Sequence, residues 1–98
     1  MPIFTFPEEP RWSADRDAVE FPVEVGDYRG VVIVPRRLFH DLIGQRPTPE
    51  QCVEYSFLYR TEFERIAEHK IRARELGEDA NIHLTGRDTQ RAGDKLRR

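Results

Sequence analysis

The sequence predicts an α+β domain of two layers. A small, mainly antiparallel sheet is covered on one face by a short and a long helix, in the order β-β-β-α-α-β. Three observations carry this. Val19, Phe21, Val23 and Val25 alternate with Glu20, Pro22 and Glu24, the period of a half-buried strand. The stretch from Pro49 to Leu76 contains no further Gly or Pro, so it suits one long helix. The whole chain has 98 residues, the size of a single domain.

Ile3-Phe4-Thr5-Phe6 is short, aromatic and β-branched, and Pro7 and Pro10 follow it. It reads as an edge strand, where proline can stop pairing. Trp12 then stands in a polar loop. The alternating strand Ala18–Val25 comes next, and Pro22 on its polar phase predicts an unpaired side or a bulge at that point. Gly26-Asp27-Tyr28-Arg29-Gly30 is turn chemistry, and Val31-Val32-Ile33-Val34 returns as a second arm. The two arms make a hairpin with a loop of about three to five residues.

Pro35 opens the short helix, Leu38, Phe39, Leu42 and Ile43 give it an apolar face, and Gly44 ends it. Thr48, Pro49 and Gln51 form a capping-box signature for the long helix, and Gly77 is the expected C-cap about seven turns later. Asn81 to Thr85 alternates as a last short strand. The expected domain spans 1–86. Residues 87–98 are basic and lack large apolar side chains apart from Leu96, so a disordered tail is expected.

Lys plus Arg number 16 and Asp plus Glu 18, for a net charge of −2. That balance argues against a field able to steer nucleic acid or hold an anionic membrane. The near-neutrality is a cancellation. Residues 1–30 carry three basic and seven acidic side chains, and residues 85–98 carry five basic and two acidic. The longest apolar run, Val31 to Val34, is far too short for a membrane span. The first ten residues contain Glu8 and Glu9 and no basic cluster, so no signal peptide is expected. The single cysteine, Cys52, allows no internal disulfide. A cytoplasmic setting fits these features together.

The long helix has two apolar stripes at 100° per residue. Cys52, Tyr55, Tyr59, Phe63 and Ile66 form one, and Val53, Phe57, Ala67 and Ile71 form the other. In one reading, one stripe meets the sheet and the other meets the short helix. In the second reading, the tyrosine stripe faces a partner or a second copy, since tyrosine suits interfaces. Arg60 and Glu64 lie one turn apart beside the second stripe, as an ordinary helix-face pair or as a partly buried site. Trp12 is either a surface anchor or a plug at one end of the core.

Trp12, Ala18 to Phe21, the helix run from Phe57-Leu58-Tyr59-Arg60 to Ile71, and the closing Thr85-Gly86-Arg87-Asp88 together resemble the small bacterial proteins grouped as domain of unknown function 1488. The resemblance runs from about Ile3 to Asp88. It implies a compact α+β fold and a bacterial origin. It supplies no reaction, cofactor or catalytic residue, and it draws attention to Arg60 and Glu64.

No catalytic constellation is evident. His40, His69 and His83 lie on separate elements without metal-ligand spacing, so no metal is expected. Cys52 reads as a small buried hydrophobe, and Gly26 and Gly30 belong to a hairpin rather than a phosphate loop. No cofactor is expected. The leading expectation is a non-enzymatic cytosolic interaction or regulatory protein, with an unknown protein partner or a second copy. One alternative is a small ligand-binding protein or enzyme that holds an anion with Arg60 and Glu64, with Asp88 nearby. The other is weak nucleic-acid contact through the basic tail.

Overall fold

The computed structural model describes residues 3–91. Its strands are β1 (Phe4–Thr5), β2 (Arg11–Ser13), β3 (Ala18–Val25), β4 (Tyr28–Pro35) and β5 (Ile82–His83). Its helices are α1 (Arg36–Ile43), α2 (Pro49–Leu58), α3 (Arg60–Arg72) and α4 (Gly86–Arg91). The fold is α+β, with one five-stranded sheet.

β3 and β4 form the central hairpin, paired from Ala18–Pro35 to Val25–Tyr28. The loop is therefore only Gly26-Asp27, shorter than the turn residues suggest. Gly26 has φ +56°, a left-handed conformation that glycine adopts without a Cβ clash. β1 pairs with β3 at Val25 and Glu24, and β2 pairs with β3 at Glu20, Val19 and Ala18. Pro22 falls in the gap between these two short partners. Its missing N–H costs no ladder bond there. β5 joins the far edge of β4 and is the parallel member of the sheet.

The alternation seen in the sequence decides which face is covered. Val19, Phe21, Val23, Val32 and Val34 are buried in one cluster with Leu38, Phe39 and Leu42 of α1. Cys52 and Tyr55 of α2, and Phe63, Ile66 and Ala67 of α3, complete that core. Trp12 does not stand in a loop as expected. It pairs with Val19 across β2 and β3, half-buried, and the Arg36 guanidinium lies 5.6 Å from its ring centre. Arg36 also donates two hydrogen bonds to the Pro47 carbonyl, at 2.8 and 2.9 Å. Trp12 thus packs against the core beneath a clamp that ties the start of α1 to the α1–α2 loop.

The single long helix is corrected by the structure to two. The capping box forms as expected, with Gln51 N–H donating to Thr48 Oγ1 and Thr48 N–H to Gln51 Oε1. The helix then breaks at Tyr59, which has φ −112° and ψ 29°. Ser56 donates its hydroxyl to the Cys52 carbonyl at 2.8 Å, one turn back, and such bonds bend helices. The Tyr59 N–H still reaches the Tyr55 carbonyl and the Phe63 N–H the Tyr59 carbonyl, so α2 and α3 keep a common face.

α3 also ends earlier than Gly77. Arg74 adopts φ +59°, and Glu75 N–H and Arg74 N–H bond back to the Lys70 and Ile71 carbonyls. This is a Schellman ending with arginine where glycine is usual. Substituting Arg74→Gly is expected to raise stability by about 0.5–1 kcal/mol, since glycine reaches the left-handed region without penalty. Thermal unfolding checks it, and an unchanged or lowered midpoint contradicts it. The folded part also continues past residue 86. Gly86–Arg91 forms α4, with Asp88 and Thr89 buried. The rest of the expected tail, 92–98, lies outside the described residues.

Candidate functional site

α1 ends at Gly44, whose φ of +90° turns the chain sharply away from the helix. α2 starts five residues later from its capping box. Between the end of α1 and the middle of α2 lies an open groove of about 670 Å³, lined by Ile43, Gln51, Glu54, Tyr55, Phe57 and Leu58. Tyr55 forms its floor. The ring centre of Tyr55 is 4.6 Å from that of Tyr59, 6.0 Å from Phe39 and 6.4 Å from Phe63. Leu58 is 70 % exposed and Phe57 44 % exposed.

The tyrosine stripe therefore faces inward. Tyr55 belongs to the core, and Tyr59 packs against it half-buried. The ring neighbours of Tyr55 are Phe39 of α1, Tyr59 and Phe63 of α3. The outward apolar residues are Phe57, from the second stripe, and Leu58, which lay on neither. A lone leucine on the polar phase of a helix was the available signal for Leu58.

Arg60 and Glu64 form a close pair, with Nε 2.8 Å from the Glu64 Oε2. The Arg60 Nη2 also donates to the carbonyls of Phe6 and Glu8, at 3.3 and 3.4 Å. Arg60 holds the segment between β1 and β2 against α3. Its Nε and Nη2 are directed at protein groups, and these bonds strap that segment to α3.

Asp88 lies apart from Arg60, against a residue that sequence reasoning missed. The Lys70 Nζ is 2.8 Å from Asp88 Oδ2 and donates to the His83 carbonyl, also at 2.8 Å. The same carboxylate oxygen accepts from the Thr85 N–H at 2.8 Å and its hydroxyl at 3.0 Å. Lys70 is 7 % exposed and Asp88 4 %. Burial pushes the Asp88 carboxyl up, but the bonds from Lys70 and Thr85 and the ammonium charge hold it below the usual range. This cluster locks α4 and β5 to α3.

Near the start of β5, the His83 Nε2 lies 3.1 Å from both Asp79 carboxylate oxygens. Asp79 is pushed down to about 2, first by the Asn81 N–H and then by His83. The pair is solvent-exposed and folds the loop over its own backbone. Cys52 is buried, and burial pushes its thiol up, away from the reactive thiolate. Among the described residues, no three His, Cys, Asp or Glu side chains gather as a metal site. No helix among them is long and apolar enough to cross a membrane.

No curated protein matches the chain. A solved structure does: the crystal structure, at 1.60 Å, of a protein of unknown function from the DUF1488 family of Shewanella loihica PV-4. It superposes with a TM-score of 0.74 at 17 % identity, over 83 % of this chain and 90 % of that one. At that identity the likeness shows a shared fold. The family model for proteins of unknown function named DUF1488 matches residues 4–84. The match includes the groove, Arg60, Glu64 and Lys70 and stops before Thr85 and Asp88, so the closing Thr-Gly-Arg-Asp lies beyond it. With most of its folded length matched, the chain belongs to the DUF1488 family.

Proposed function

We propose that the protein is a small non-enzymatic interaction module of the bacterial cytoplasm, and that it binds a polypeptide through the groove beside Phe57 and Leu58. One observation carries this reading. Two adjacent large apolar side chains, 44 % and 70 % exposed, stand at an open groove on a small domain. A single exposed leucine is ordinary, whereas a clustered apolar patch beside a concave surface marks a contact site. The strongest polar clusters, Arg60–Glu64 and Lys70–Asp88, tie the fold together internally. The bacterial source of the structural neighbour and the single buried cysteine support the setting.

The test is a photoreactive amino acid placed at Gln51, on the groove rim, in the full chain inside cells. A discrete adduct is expected, and Leu58→Asp in the same chain should abolish it. Leu58 is exposed, so this change should alter stability by no more than about 0.5 kcal/mol. Absence of any Leu58-dependent adduct overturns the reading.

A further inference from the structure

Resting on that reading, we infer that the occupant of the α2–α3 face is a second copy of this chain, packed antiparallel about a two-fold axis beside Tyr59 and Arg60. The argument begins with charge. Glu50, Glu54, Phe57, Leu58, Thr61 and Arg65 are among the exposed side chains of α2 and α3. The acidic members stand at one end, the apolar pair in the middle and the arginine at the other end.

Several of the other helix charges are already used. Arg60 pairs with Glu64, Arg72 with Glu68 and Lys70 with Asp88. Glu54 and Arg65 have no ion-pair partner among the described residues. They are eleven residues apart, which is about three turns, so both point to the same side. The helical hydrogen bonds that run through Tyr59 preserve this alignment across the break.

A face with acid at one end, base at the other and apolar residues between is complementary to itself when reversed. A two-fold contact uses the same patch on both protomers, so each cross-contact occurs twice. With the axis beside residues 59 and 60, Glu54 stands opposite the partner's Arg65, and Arg65 opposite the partner's Glu54. Leu58 then lies within about one helical turn of the partner's Leu58 and Phe57. A parallel arrangement would set Glu54 against Glu54 and lose both pairs. The apolar centre holds two side chains per protomer, so the interface belongs to the small class, under roughly 1,200 Å² in total. A weak, concentration-dependent dimer follows.

Sedimentation equilibrium of the full chain, up to about 1 mM, tests this in the affinity range of weak complexes. The wild type should form a dimer, and Leu58→Asp should weaken it by about 100-fold, the loss of a buried apolar pair on each side. Glu54→Arg and Arg65→Glu should each weaken it by about tenfold, because each sets like charges together twice. The double variant carrying both changes should return to within about threefold of the wild type. A double variant as weak as the single ones overturns the antiparallel pairing. A wild type that stays monomeric overturns the second copy as occupant. If the Gln51 adduct to a different chain still depends on Leu58 in that case, the interaction reading stands without this inference. If no such adduct forms, both fall together.

Discussion

Lys70→Ala is expected to destabilise the protein by about 3–5 kcal/mol, the range for breaking one half of a buried ion pair. Lys70 and Asp88 are almost fully enclosed, and the ammonium also satisfies the His83 carbonyl. Removing Lys70 leaves a buried carboxylate with only Thr85 to hold it. For a chain of this size the loss is a large share of a total of about 5–15 kcal/mol. The thermal midpoint should fall by about 12 °C or more, at roughly 4–8 °C per kcal/mol. Replacing both partners with Met and Leu should cost far less, since a well-packed apolar pair demands no compensating charge.

The pH dependence follows with a definite sign. The Asp88 carboxyl is held below its usual range in the folded protein. Its contribution is therefore fully present above the unfolded value of about 3.9 and disappears as pH falls through the lower folded value. In the Lys70→Ala variant the main stabilising bond is gone and burial pushes the same carboxyl up. Protonation then relieves the variant while it weakens the wild type. The stability gap between the two should be widest at neutral pH and should narrow in acid below about pH 4. Denaturant titrations at several pH values measure the gap. A gap under about 1 kcal/mol at pH 7, or one that does not change with pH, would show that the pair is not the lock described.

How far such features were readable from the sequence depends on how local their causes are. The β3 alternation, the Thr48–Gln51 capping box and the i,i+4 pairing of Arg60 with Glu64 all arise within a few residues. Each was readable, and each took the expected form. The Lys70–Asp88 lock joins residues eighteen positions apart across a loop and a strand. In the sequence, Lys70 looks like any solvated helix lysine, and Asp88 looks like part of a basic tail. The strand at Trp12 was hidden for the same reason, since its pairing with Val19 comes from the tertiary position of β3.

The candidate interface shows a different limit. A helical wheel gives the phases of side chains but not which phase meets the sheet. Two apolar stripes left that choice open, and the tyrosines offered a plausible outward face. In the fold the aromatic cluster of Phe39, Tyr55, Tyr59 and Phe63 supplies the inner contacts instead. The break at Tyr59 sits beside the exposed pair. It comes from a serine back-bond and from aromatic packing, and neither changes the hydrophobic periodicity.

Phe63→Ala is expected to be the other large effect, with a loss of about 3–5 kcal/mol. The Phe63 side chain is fully buried where three helices meet. Its ring centre lies 5.9 Å from Phe39 of α1 and 6.4 Å from Tyr55 of α2. Truncation removes a whole ring from a place where each wall is anchored by its own helix. The surroundings therefore cannot collapse to fill the cavity, which puts the cost in the upper part of the range for such changes. Phe63→Leu keeps most of the volume and should cost only about 1–1.5 kcal/mol. Denaturant midpoints should shift in that order without a change in slope. Because Tyr55 is both a neighbour of Phe63 and the floor of the groove, Phe63→Ala should also weaken groove-dependent contacts from beneath. Leu58→Asp acts from above and leaves stability intact. The two variants thus separate the support of the surface from the surface itself. Phe63→Ala costing less than Phe63→Leu would mean that the aromatic cluster does not hold α1, α2 and α3 together.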